Sequence, residues 1–171
     1  MKKIINTPLA MLLCMAMAVV FTACEPEEDV KINQNEKDLT FLCNEDTITN
    51  GSTYTSTKLD DTYLALGIAR FVPGIDLVGN KDGKITVVVK SLNETMIEIC
   101  TFGGCQFTDS EEGYTTDVSG NITANTPLPL EIHHTAASPD EVHRARALIT
   151  AYYEGEEDNA VSFTLVMTNA Q

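Results

Sequence analysis

Cysteine and histidine are the residues of this 171-residue chain best fitted to chemistry, and it holds five of the first and three of the second. Cys100-Thr101-Phe102-Gly103-Gly104-Cys105 sets two thiols across a glycine-containing turn, where a tight hairpin brings the sulfurs together. A bond closing so short a loop stabilises by about 2 kcal/mol on the chain-entropy estimate. Redox pairs use two intervening residues and zinc sites usually need four ligands, so Cys100 and Cys105 are expected to form a structural disulfide. Cys43 shares the parity of Leu39 and Phe41 and is expected in the core as a small hydrophobe. His133 and His134 are adjacent, so on a strand they face opposite sides and cannot both point at one ion. Glu131, His133 and His143 are the remaining metal combination, but nothing in the sequence fixes His143 beside the other two. Neither Asp109-Ser110-Glu111-Glu112 nor the acidic run from Glu154 to Asp158 has the ligand spacing of a calcium loop. No metal or cofactor is expected, and no catalytic residue: the chain has no Gly-x-Ser-x-Gly elbow, phosphate-binding glycine loop or His-Glu-x-x-His pair.

The remaining cysteines belong to the start of the chain. Met1-Lys2-Lys3 is a positive n-region and Pro8 to Val20 an apolar run too short to stay in a bilayer as a helix, which together read as an export signal. The run closes on Phe21-Thr22-Ala23-Cys24, which resembles the lipobox of bacterial lipoproteins with Phe where Leu is usual. The resemblance implies a signal peptide over residues 1–23 that takes Cys14 with it, and a diacylated Cys24 as the first mature residue, anchored in the membrane by its lipid. Residues 24–37 then form a polar tether, whose 13 residues from Glu25 to Lys37 reach at most about 45 Å at roughly 3.3–3.6 Å each. The acidic cluster Glu25-Pro26-Glu27-Glu28-Asp29 resembles the surface-export signal of Bacteroidetes lipoproteins and implies the outer face of the outer membrane. A solvated linker on a periplasm-facing structural lipoprotein is the alternative. A formal net charge of −14, more negative still once Lys2 and Lys3 are removed, excludes nucleic acid as a partner.

What must position these residues is a set of strands. From Asp38 onward the apolar period is two. It runs through Leu64, Leu66 and Ile68, then Ile85, Val87 and Val89, then Ile97 and Ile99. It returns in Leu128, Leu130 and Ile132, in Ala145 to Tyr153, and in Val161 to Met167. Turn signals separate the runs at Asn50-Gly51, Val72-Pro73-Gly74, Asn80 to Gly83, Gly103-Gly104, Ser119-Gly120-Asn121 and Glu154-Gly155-Glu156. About seven half-buried strands so punctuated make an all-β antiparallel sandwich over residues 38–171, with one helical turn expected at Ser138-Pro139-Asp140-Glu141. This order is similar to a group of small Bacteroidetes envelope lipoproteins with one immunoglobulin-like domain. The likeness is carried by the valine-rich strand ending Lys90-Ser91-Leu92-Asn93, the cysteine hairpin and the paired closing strands. It implies fold and location and brings no activity.

The expected function is a non-enzymatic binding module at the bacterial surface, with a protein or glycan partner. Glycan platforms favour aromatic stacking, and the chain has no Trp. Asp46-Thr47-Ile48 resembles the Bacteroidetes O-glycosylation motif, which marks Thr47 as a candidate modification site. Cys24→Ala is expected to abolish palmitate incorporation and release the protein from the membrane fraction; continued labelling would contradict the lipobox assignment.

Overall fold

The computed structural model describes residues 37–170, so the expected signal segment 1–23, the lipidated Cys24 and the tether as far as Glu36 lie outside the described residues. The described chain folds into twelve strands: β1 (Leu39–Cys43), β2 (Asp46–Ile48), β3 (Thr53–Ser56), β4 (Ala69–Phe71), β5 (Ile75–Gly79), β6 (Gly83–Ser91), β7 (Glu98–Thr101), β8 (Gly104–Phe107), β9 (Thr115–Ile122), β10 (Leu128–Ala136), β11 (Arg144–Tyr153) and β12 (Val161–Thr168). A seven-stranded sheet runs β2-β1-β5-β10-β7-β8 with β4 also on β10, and faces a five-stranded sheet ordered β3-β12-β11-β6-β9. All pairings are antiparallel except that of β3 with β12, which is parallel.

Alternation drives the sandwich. In β11 every second residue from Ala145 to Tyr153 is buried and in β6 Ile85, Val87 and Val89 are fully enclosed, as the apolar period requires. The inward residues of both sheets form one core, and Phe41 of β1 meets Phe163 of β12 edge to face with ring centroids 4.8 Å apart. That is the geometry aromatic quadrupoles favour, and it joins the two layers directly.

Tight turns explain why strands outnumber the runs visible as apolar alternation. Asn44 and Glu45 both have positive φ between β1 and β2, and Phe102 and Gly103 do so between β7 and β8, the backbone of two-residue type I′ hairpins. Asn and Gly suit such turns; Phe102 does not, and a bulky residue there needs a reason. Its ring lies against Gly120 of β9, so closely that a Cβ at 120 would overlap the ring. Gly120 is therefore a strand residue kept small for Phe102, and Ser119-Gly120-Asn121, expected as a turn, is the end of β9.

Two further expectations fail. Leu64 and Leu66 belong to no strand: Asp60 accepts hydrogen bonds from the Thr62 and Tyr63 amides and caps α1 (Asp61–Leu64), and both leucines end up exposed. Ser138 to Glu141 forms a turn instead of a helix, because Asn169 Nδ2 donates to the Pro139 and Glu141 carbonyls and holds the segment open. Replacing Gly120 with Val is expected to displace Phe102 and cost about 1–3 kcal/mol in chemical denaturation; an unchanged midpoint would mean the ring does not set this corner.

Candidate functional site

Because Ile99 and Ile132 point inward, their neighbours on β7 and β10 must point out. Glu98 and Cys100 on β7, Pro129, Glu131 and His133 on β10, Cys105 and Phe107 on β8 and Arg70 on β4 therefore share the outer face of the seven-stranded sheet. Register places His133 opposite Glu98. Arg70 Nη2 donates to Glu98 Oε2 at 3.0 Å and lies 2.7 Å from His133 Nδ1, while its guanidinium stacks 4.8 Å over the Tyr63 ring. Since the guanidinium can only donate, Nδ1 accepts and His133 is neutral. Burial and the Arg70 charge lower the His133 pKa, and Glu98, at 3.3 Å from Nδ1, opposes them only in part. The trio links β4, β7 and β10 through the Arg70 guanidinium.

Beside it stands the disulfide expected from sequence, Cys100–Cys105, formed between directly opposed residues of β7 and β8. Glu98 carries a carboxylate oxygen within 4.8 Å of both sulfurs. A carboxylate so near disfavours a thiolate, whereas redox-active cysteines sit in electropositive surroundings, so the bond is a clasp on the hairpin. With both sulfurs bonded to each other, Glu98, Cys100 and Cys105 offer no thiolate set for a metal.

The outer face is not flat. β4 and β5 pair with β10 in one continuous register, Phe71 opposite His134 and Ile75 opposite Leu130. Between them Val72-Pro73-Gly74 leaves the ladder: Pro73 has no N–H to give, Gly74 has φ +70°, and the Val72 amide turns away to the Lys58 carbonyl. What the sequence presented as a turn between strands is a break inside one strand. A depression of about 300 Å³ opens there, lined in part by Lys58, Asp76, Glu131 and His133. A second, of about 360 Å³, lies along the disulfide hairpin against Phe102, Leu128 and Pro129, and the two share Pro129 and Glu131.

The other residues singled out from sequence are scattered. His134 stacks on Phe71 with centroids 6.0 Å apart, and its Nδ1 lies 3.0 Å from the Met96 carbonyl. His143 is tied to Ser138 and Asn169, so Glu131, His133 and His143 are not brought together. Cys43 is free and buried, 2.8 Å from the Tyr54 hydroxyl; that hydrogen bond, with burial, pushes the Tyr54 pKa up to about 12. Thr47 is exposed on β2, facing outward. Sequence reading missed Arg70 and Glu98, because their meeting depends on β4 and β7 flanking β10, which no local pattern announces. It also missed the clasp where the domain begins, in which Lys81 binds both Asp38 and Glu156 and holds the Asp38 carboxyl below its usual range.

No protein-family model matches the chain, and no curated protein sequence matches it. In structure it is similar to the N-terminal domain of PorA, with a TM-score of 0.53 at 12% identity over 76% of this chain and 96% of that one. The two share an all-β sandwich fold.

A depressed histidine pKa means the unfolded state binds the proton more readily, so His133 contributes stability that is full above about pH 6.5 and is lost as pH falls below it. Thermal melts between pH 7.5 and 5 are expected to decline with acid in the native protein and less steeply in His133→Gln; parallel profiles would remove His133 as the cause.

Proposed function

We propose that this protein is a lipid-anchored module of the bacterial cell envelope, displayed at the outer surface of the outer membrane, that works by binding a protein or glycan partner and not by catalysis. Cys24 at a lipobox-like site supplies the anchor, and the acidic tether the standoff from the headgroups. The observation that carries the binding half is the fate of the reactive side chains. His133 Nδ1 is engaged by Arg70, Cys100 is bonded to Cys105 and His143 is tied to Ser138, while the outer face of the seven-stranded sheet offers open depressions of apolar and acidic character. A scaffold whose histidine and cysteine side chains on this face are already engaged, and whose concavities are open, suits recognition better than turnover. Thr47, outward on β2, is accessible to the glycosylation its motif suggests.

Surface biotinylation of intact and permeabilised cells, with Cys24→Ala as the unanchored control, tests the location. Labelling of intact cells is expected. Labelling only after permeabilisation would turn the assignment to a periplasm-facing structural lipoprotein.

A further inference from the structure

We infer that the outer face of the seven-stranded sheet, centred on Glu131, docks an extended polypeptide segment that carries an apolar and a basic side chain two residues apart, on one face. This deepens the binding-module reading and rests on it. The two depressions meet at Pro129 and Glu131 on β10, so one ligand crossing that point occupies both. Their chemistry differs. The depression along the hairpin is walled by the disulfide, Phe102, Leu128 and Pro129 and takes an apolar side chain. The one at the strand break presents Glu45, Asp76 and Glu131 against Lys58 and the neutral His133.

Charge complementarity identifies the occupant. Among the described residues neither Asp76 nor Glu131 has an ion-pair partner, and Lys58 is the one lysine or arginine lining that depression, against the three carboxylates of Glu45, Asp76 and Glu131. The chain as a whole carries a formal charge of −14, so a basic segment is drawn to it and a second copy of the chain is repelled. An extended segment puts alternate side chains on one face about 6.6–7 Å apart, a spacing that lets one fill the hairpin depression while the next reaches Glu131 and Asp76. A glycan finds less here: the Phe102 ring is committed to Gly120, and the chain has no Trp to stack on a sugar.

The test uses the full lipidated protein in a nonionic detergent with two synthetic heptapeptides, Thr-Val-Thr-Lys-Thr-Val-Thr, which puts valine and lysine on one face of a strand, and its counterpart with Glu in place of Lys. Amide resonances of residues 100–105 and 128–133 are expected to shift with the lysine peptide alone, and the double variant Asp76→Asn/Glu131→Gln, whose melting curve checks its fold, is expected to weaken that binding at least tenfold. Binding that maps to the acidic loops at 109–112 or 154–158, binding unchanged in the double variant, or no binding of the lysine peptide would each overturn the docking face. So would a neutral oligosaccharide that shifts the same resonances where the peptide does not. An envelope pull-down separates this failure from that of the wider reading: one partner retained equally by wild type and double variant overturns the site alone, and repeated capture of nothing by wild type overturns both.

Discussion

Strand register on β10 governs this molecule. Leu130 and Ile132 must face the five-stranded sheet, so Pro129, Glu131 and His133 must face out, and a slip of one residue would bury two charged or polar side chains and expose two aliphatic ones. Both neighbours depend on that choice. On one side β7 brings Glu98 opposite His133 and Cys100 opposite Glu131; on the other β4 brings Arg70 close enough to close the network. The disulfide, the Arg70 network and both depressions are consequences of one strand holding one register.

The apolar alternation of β6, β10, β11 and β12 was legible in the sequence because those strands are long and each has one face wholly in the core. The two-layer all-β fold followed from the same reading, and the disulfide from two cysteines set across a glycine-containing turn. Short strands were not legible. β2, β3, β4 and β8 have three or four residues each, too few to show a period, and β9 is rich in Thr, Ser and Asp because it lies at a sheet edge. Leu64 and Leu66 misled for the converse reason: two leucines spaced by two imitate a strand, and only the cap at Asp60 reveals the helical turn.

Of the outer face, the sequence offered Cys100, Cys105, Glu131 and His133 but not their relations. Val72-Pro73-Gly74 shows why. A Pro-Gly pair reads locally as a turn, and only the unbroken register of β4 and β5 along β10 shows it to be a gap in one strand. Phe102 and Gly120 form a similar long-range pair, each anomalous alone, the first for its positive φ and the second for a glycine inside a strand, and each explained by the other.

Arg70, Glu98 and His133 are bound to one another, and this trio holds β4, β7 and β10 together at the face. Arg70 is the common partner, and both it and Glu98 are mostly shielded, with side chains 19% and 18% exposed. Thermal unfolding at pH 7 of Arg70→Ala and Arg70→Lys tests the claim most directly. The alanine variant leaves Glu98 and His133 without their donor and is predicted to lose about 1–3 kcal/mol. Lysine, lacking the planar fork that serves both acceptors, is predicted to recover only part of it. Melting temperatures equal to that of the native protein in both variants would contradict the account and leave Arg70, Glu98 and His133 as groups held for some other purpose.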